Sequence, residues 1–280
     1  MGILYLVATP IGNLEDITLR ALRVLREVSL IAAEDTRQTR KLLNHYGIEK
    51  PLVSYYEHNK LTRLRTILSH LENGDVALVS DAGTPGLNDP GYELVKAAIE
   101  QGVRVCPVPG PASPIVALVG SGLPTDAFLY LGYLPRKPRE RQEKIASIRD
   151  EPFTLIFLET PHRLWDALKD LLDILGDRQA VVARELTKIH EEFIRGTLGE
   201  LLQHFRQVEP LGEFVILISG ATRKAQVWSK EQVIEVFEQE SREDVPLRDL
   251  AERLAAVSGW KKNELYRLFL EHKKNQGKIR

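Results

Sequence analysis

The sequence predicts an α/β protein: two α/β domains followed by a small C-terminal helical module. Three observations carry that reading. Through the first half, short apolar runs alternate with segments of helical period, the mark of β-α-β units and a mainly parallel sheet. After a stretch near 135–140 rich in Pro and charge, PRKPRE, a mixed pattern of strands and helices resumes. From Ser229 onward only helical periodicity is left. These breaks divide the chain into 1–135, 136–225 and 226–280. A length of 280 residues suits the division, at roughly 100–200 residues per domain.

Residues 3–9, ILYLVAT, read as a buried strand, followed by a helix with Leu19, Leu22 and Leu25 on one face. A second run at 29–35, SLIAAED, precedes a helix that Gly47 can stop. LVSYY at 52–56 is a weaker strand, and the next helix places Leu61, Leu64, Leu68 and Leu71 together before Gly74. DVALVS at 75–80 is the following strand. Its loop leads to a helix with Asp89 as N-cap, Pro90 at the first helical position and Gly102 after the last turn. VRVCPV at 103–108 and a helix from about Ala112 complete the unit. In the second half, FTLIFLE (153–159), QAVVARE (179–185), EFIRG (192–196) and EFVILIS (213–219) read as strands. One helix carries Leu164, Leu168, Leu171 and Leu175, and another spans about 199–207. In the last segment Ser229 and Gln232 form a capping-box start. Leu247, Leu250, Leu254 and Val257 then make a stripe ending at Gly259, and a basic helix follows from about Lys261.

Composition narrows the function. Lys plus Arg is 38 and Asp plus Glu is 39, which argues against a surface built wholly for nucleic acid but not against a local one. Two stretches are basic: 136–149 sums to +4 and 261–280 to +5, which suits an anionic partner. The single cysteine, Cys106, points to a reducing compartment. No apolar run approaches the roughly 18 residues of a membrane span, and the expected location is the cytoplasm. The seven histidines never come at i, i+4, so no metal site is expected. The P-loop Lys-Ser/Thr, the G-x-G-x-x-G fingerprint and the G-x-S-x-G elbow are missing as well.

What remains is a set of loops following successive strands: TPIGN (9–13), EDTR (34–37), SDAGTPGLNDPG (80–91) and PGPAS (109–113). Ligands of open α/β sheets bind outside the carboxyl ends of the strands, where Gly and Pro let backbone groups approach a ligand. Asp81 is placed to accept from ligand hydroxyls or an amine. Ser113, at a helix start, can help the helix amides hold a carboxylate.

These loops, together with AEDTRQTRKLL at 33–43 and ETPHR at 159–163, carry a specific resemblance. Over essentially its whole length the chain resembles the RsmI family of bacterial methyltransferases, the ribosomal RNA small-subunit ribose 2′-O-methyltransferases built on the tetrapyrrole (precorrin) methylase fold. The resemblance implies S-adenosylmethionine in a cleft between two α/β domains, usually in a homodimer, and methylation of a decoding-centre cytidine in 16S ribosomal RNA of the small subunit. It places cofactor contacts at Pro10, Ile11, Asp81, Ala82, Gly83, Thr84, Ala112 and Ser113, and beyond the linker at Leu158, Glu159, Leu186 and Gly212. Methyl transfer to a hydroxyl needs a group to take its proton. Glu34, Asp35 and Arg37, with His162, Arg163, Arg184 and Glu185 across the cleft, are the candidates. In the terminal module Lys261, Lys262, Arg267, Lys273 and Lys274 are the candidate RNA contacts. Trp260, Tyr266, Leu268 and Phe269 are expected to form the module's own core. Two other readings compete: a precorrin-type methyltransferase of the same fold, and an RNA-binding protein without enzymatic activity.

Overall fold

Five apolar runs of the first half form one sheet: β1 (Ile3–Val7), β2 (Leu30–Ala33), β3 (Leu52–Ser54), β4 (Val76–Val79) and β5 (Arg104–Val108), in the order β3-β2-β4-β1-β5. Every pairing is parallel. The computed structural model describes residues 1–89, 91–222, 228–240 and 245–276. The chain divides into two units, Met1–Gly220 and Ala221–Arg280. β2 and β4 are buried along their whole length because helices cover both faces. α1 (Leu19–Glu27) and α2 (Thr36–His45) pack on one face around Val24, Leu25, Leu42 and Leu43. α3 (Lys60–Asn73) and α4 (Gly91–Glu100) pack on the other around Ile67, Leu71, Leu94 and Ala98.

The helix faces differ in detail from the expected ones. Leu19 is 87% exposed and Leu61 76% exposed, and burial falls instead on Ala21, Val24 and Leu25 in α1 and on Ile67, Leu68 and Leu71 in α3. Both leucines occupy a first turn. The 14-residue α3 is about 21 Å long at 1.5 Å per residue, whereas the four residues of β4 span about 13 Å, so α3 has a turn more than the strand can cover. Asp89 caps α4 by accepting from Gly91 N at 2.7 Å; Pro90, expected at the first helical position, lies outside the described residues.

α5 (Ser113–Ser121) leaves the first sheet and lays Ala117 and Leu118 on a second one. That sheet contains β6 (Phe128–Tyr133), β7 (Thr154–Glu159), β8 (Gln179–Arg184), β9 (Glu192–Thr197) and β10 (Phe214–Ile218), in the order β6-β7-β10-β8-β9. β6 and β7 run parallel and the other neighbours antiparallel. Its other face carries α6 (Pro138–Ser147), α7 (Pro161–Leu175) and α8 (Leu198–Gln207). In α7 the expected Leu164, Leu168, Leu171 and Leu175 are all buried. The expected boundary at 135/136 needs correction in one respect: β6 lies before it yet belongs to the second sheet. The expected linker at 135–140 runs into α6, which starts at Pro138. Proline at a helix start loses nothing, because the first N–H groups have no helical partner.

The terminal unit holds α9 (Lys230–Glu240), α10 (Leu247–Ser258) and α11 (Lys262–Gln276) around Val233, Phe237, Leu250, Leu254, Leu265 and Phe269. The capping box forms: Gln232 N donates to Ser229 Oγ at 3.3 Å and Ser229 N to Gln232 Oε1 at 2.9 Å. In the α10 stripe Leu250 and Leu254 are buried, but Val257 is 59% exposed. The 225/226 boundary expected from sequence lies outside the described residues. Among the described residues no helix is long and apolar enough to cross a membrane.

Candidate active site

β1 and β4 are neighbours, but the helix after β1 covers one face of the sheet and the helix after β4 the other. Their loops therefore part at the carboxyl edge and leave a crevice there. Backbone bonds stitch its floor. Thr9 N donates to Gly83 O at 2.9 Å and Gly83 N to Thr9 O at 3.0 Å, and the buried Thr9 Oγ1 donates to Ser80 O at 3.1 Å. Thr84 Oγ1 reaches Pro111 O at 3.1 Å, tying in the loop before α5. The end of β2 is joined reciprocally: Asp81 N donates to Glu34 Oε2 at 3.2 Å, and Asp35 N to Asp81 Oδ1 at 2.9 Å.

The resulting cleft has a volume of about 340 Å³, within the range of small-molecule sites. The first sheet's loops and α5 line it with Ile11, Glu34, Ser80 through Thr84, Leu87, Asn88, Asp89 and Ala112 through Pro114. The second sheet supplies Tyr130, Tyr133, Leu158, Glu159, Leu186, Glu213, Phe214 and Val215. Five carboxylates thus face the cleft, and no Lys or Arg among the described residues lines it. Burial pushes the Glu34 carboxyl above its ordinary value. The Asp81, Asp89 and Asp35 carboxylates add to that, against the Asp81 N–H. Burial likewise raises Asp89 and Glu159, and it holds the Tyr130 hydroxyl up at about 12. Asp35, one residue from Glu34, behaves oppositely. It caps α2 and takes a bidentate bond from Arg37, which holds it down at about 2.

Of the residues expected to hold a cofactor, Ile11, Asp81, Ala82, Gly83, Thr84, Ala112, Ser113, Leu158, Glu159 and Leu186 line the cleft. Pro10 and Gly212 do not. Gly212 is packed against Glu185, whose Oε1 would lie 2.3 Å from a Cβ there. Of the catalytic candidates only Glu34 is on the lining. Arg37 is engaged with Asp35, and Arg163 with Glu159 at 3.2 Å and the Leu134 carbonyl at 2.5 Å. Arg184 pairs with Glu192 at 2.7 Å and Glu185 with Lys188 at 2.9 Å. His162 is exposed in the first turn of α7. The four paired residues, Arg37, Arg163, Arg184 and Glu185, do structural work that strand-end charges commonly do. Sequence reasoning missed Leu87, Asn88, Tyr130, Tyr133 and Glu213. The aromatic run FLYLGY was the available signal for the tyrosines.

In the terminal unit Lys261, Arg267, Lys273 and Lys274 are exposed, whereas Lys262 pairs with Glu252. Trp260 donates its indole N–H to Trp228 O at 2.6 Å, and Phe269 stacks on Phe237 at 4.1 Å. Leu268 is buried with them, but Tyr266, expected in the core, is 39% exposed.

Residues 3–202 match the family described as Tetrapyrrole (Corrin/Porphyrin) Methylases. The fold is shared with a uroporphyrin-III C-methyltransferase from Thermus thermophilus, solved in complex with S-adenosylhomocysteine, at TM-score 0.55 and 24% identity over 77% of this chain and 97% of that one. Parallel sheet, second mixed sheet and cleft thus define a protein of the tetrapyrrole methylase class. A curated relative in Synechocystis sp., named ribosomal RNA small subunit methyltransferase I, is 46% identical over 97% of this chain and 98% of its own length. A second of that name, in Halalkalibacterium halodurans, is 52% identical over 81% of this chain and 80% of its own. The chain belongs to the ribosomal RNA small subunit methyltransferase I family, within the tetrapyrrole methylases.

Proposed function

We propose that this protein is an S-adenosylmethionine-dependent methyltransferase acting on a ribose 2′-hydroxyl of 16S ribosomal RNA, at a decoding-centre cytidine of the small subunit. The observation that carries the cofactor reading is a cleft faced by five carboxylates and no described cation. A sulfonium cation fits such a field, and a polycarboxylate macrocycle is repelled by it. Membership of a family named for small-subunit ribosomal RNA supports the acceptor. An RNA-binding protein without activity would have no use for this cleft.

The residues present fit the cofactor. Asp81 has one carboxylate oxygen on Asp35 N and the other free for ligand hydroxyls or an amine. α5 begins without a side-chain cap at Ala112; Pro114 has no N–H and Ile115 N donates to Ala112 O at 3.0 Å, so the Ser113 N–H is the first-turn amide that suits a carboxylate. Ile11, Leu158, Leu186 and Val215 offer an apolar wall for a base. When bound, S-adenosylmethionine supplies an activated methyl group. Glu34, on the lining with a raised pKa, accepts the proton of the hydroxyl being methylated; a carboxylate lifted in this way is a stronger base. Lys261, Arg267, Lys273 and Lys274 add phosphate contacts to the substrate. The working form is a homodimer, for which α5 with Ile115 and Val119 (45% and 70% exposed) is the apolar face to test by light scattering.

The decisive experiment incubates the protein with labelled methyl donor and, separately, mature small subunits, precursor particles, naked 16S ribosomal RNA and a precorrin-type substrate. The reading requires label on a 2′-oxygen of the RNA. Label on the macrocycle alone overturns it. Asp81→Ala is expected to weaken S-adenosylmethionine binding by about 10- to 100-fold, the loss of a charge-assisted hydrogen bond. Glu34→Gln is expected to lower kcat about 10²- to 10⁴-fold with cofactor affinity nearly unchanged. A variant at wild-type rate removes Glu34 as the base.

A further inference from the structure

The cleft wall contains two kinds of apolar side chain. Ile11, Leu186 and Val215 are 8%, 6% and 4% exposed, already covered by the fold. Leu87 and Tyr133, at the mouth, remain 46% and 50% exposed. One comes from the loop after β4 and the other from β6, and a specific contact joins them.

Register along β6 shifts between Tyr130, opposite Ile156, and Tyr133, opposite Leu158. Three steps on one strand match two on the other, a β-bulge, so Tyr130 and Tyr133 both face the cleft where strict alternation would send them to opposite sides. Gly132 makes the bulge with φ of 63°. The Asn88 side chain sits on its bare Cα: a Cβ there would lie 2.3 Å from Asn88 Nδ2. Asn88 itself is left-handed, with φ of 64°, a conformation that asparagine tolerates better than most residues. Asn88 over Gly132 therefore clips the two sheets' loops together and sets their sequence neighbours, Leu87 and Tyr133, at one rim.

We propose that Leu87 and Tyr133 form a clamp for the base of the acceptor nucleotide, with Asn88 and Gly132 as its positioning pair. The inference rests on the RNA reading above and adds a base site to it. The occupant follows from charge. Burial raises the pKa of the Tyr133 hydroxyl, and Glu213, Glu159 and Glu34 lie close enough to add to it against the single opposing charge of Arg163, which is itself paired with Glu159. A phosphate is repelled from that place. A neutral, planar base is not, and aromatic stacking is the usual way proteins hold unstacked RNA bases. An enzyme that must reach one ribose benefits from splaying that nucleotide out of its stack.

The test compares steady-state KM for the RNA substrate with calorimetric affinity for S-adenosylmethionine. Tyr133→Ala is expected to raise the RNA KM about 10-fold, the order of one lost base stack. Cofactor affinity stays within about twofold, and Tyr133→Phe restores the KM because the ring face returns. Leu87→Ala, at a side chain 46% exposed and outside the hydrophobic clusters, is expected to raise KM less, and it serves if Tyr133→Ala does not fold. Gly132→Ala is expected to raise KM as well by pushing Asn88 aside. Unchanged KM in Leu87→Ala or in folded Tyr133→Ala overturns the clamp, as does weakened cofactor binding with unchanged RNA KM. If the wild-type protein binds the cofactor but methylates no RNA, the functional reading falls and takes the clamp with it. If the wild type methylates RNA and the variants match it, the clamp alone falls.

Discussion

Two basic stretches of nearly equal charge meet different fates. In 136–149, most of which becomes α6, three of the six cations are paired with carboxylates, one of them in the interior. Lys137 pairs with Glu140, Arg139 with Glu143, and Arg141 with Asp170, the last pair at 2.6 Å with both side chains less than 10% exposed. Gln142 completes Asp170 from the same helix at 3.0 Å. In α11, Lys273 and Lys274 are exposed in the last turn, where cations are favoured by the helix dipole. A count of charge along the sequence cannot separate these cases, because the acidic partner of Arg141 is 29 residues away. What distinguishes a structural cation from one available to a polyanion is whether the fold brings a carboxylate to it.

The largest effect that would test this contrast is at the buried pair. Asp170→Ala leaves the Arg141 guanidinium charged and unpaired in the interior, and urea unfolding is expected to show a loss of about 3–5 kcal/mol. Replacing both members with apolar residues is expected to recover much of that. A loss below about 1 kcal/mol for the single variant would mean that α6 is not anchored through its charge.

Next in size is α11. Lys273→Gln with Lys274→Gln is expected to flatten the logarithmic salt dependence of small-subunit binding by about 0.7–0.9 for each phosphate contact removed, while S-adenosylmethionine affinity stays unchanged. An identical slope in filter binding would place the RNA surface elsewhere.

The carboxylates offer a subtler version of the contrast, since Glu34 and Asp35 are adjacent yet shifted in opposite directions. Glu34 is raised, so its base function, and with it the methylation rate, should be lost on acidification at a pH above the ordinary glutamate midpoint. For stability its sign is unfavourable: the ionised group opposes folding, and lowering pH through its raised pKa relieves that. Asp35 is depressed to about 2, so its contribution is complete above the unfolded aspartate pKa and is lost as pH falls toward about 2. Asp35→Asn removes a like charge beside Glu34 and should move the acid limb of the rate profile downward. An upward shift in a pH–rate titration would contradict the assignment.

The smallest effect is expected from the exposed pairs of α6. Lys137→Gln with Arg139→Gln should change stability by no more than about 1 kcal/mol and leave the salt slope of RNA binding as it was. A flattened slope would show that both basic stretches meet the nucleic acid and would remove the contrast.

Much of the fold was legible because its signals are local. Continuous apolar runs such as VALV mark strands buried on both faces, and Leu164, Leu168, Leu171 and Leu175 mark a helix face that the structure buries in full. β6 was not legible: FLYLGY has its alternation broken by the bulge at Gly132, and its pairing with β7 is a contact across 26 residues. The four loops at the carboxyl edge could be read from strand order, yet only Glu34 of seven catalytic candidates reaches the cleft. Charge type is visible in a sequence, whereas direction is not.

By itself, then, the sequence determined the alternation of strands and helices, the position of the loops at the strand ends and the kinship those loops declare, since each depends on residues close together in the chain. Tertiary structure alone decided which charges were neutralised, which tyrosines turned toward the cleft and how two neighbouring carboxylates came to differ. Those outcomes depend on burial and on partners tens of residues distant, Asp81 and Asp89 for Glu34 and Asp170 for Arg141. The free energy of a charge or a ring is set by the dielectric and neighbours it meets after folding, and no local pattern encodes them.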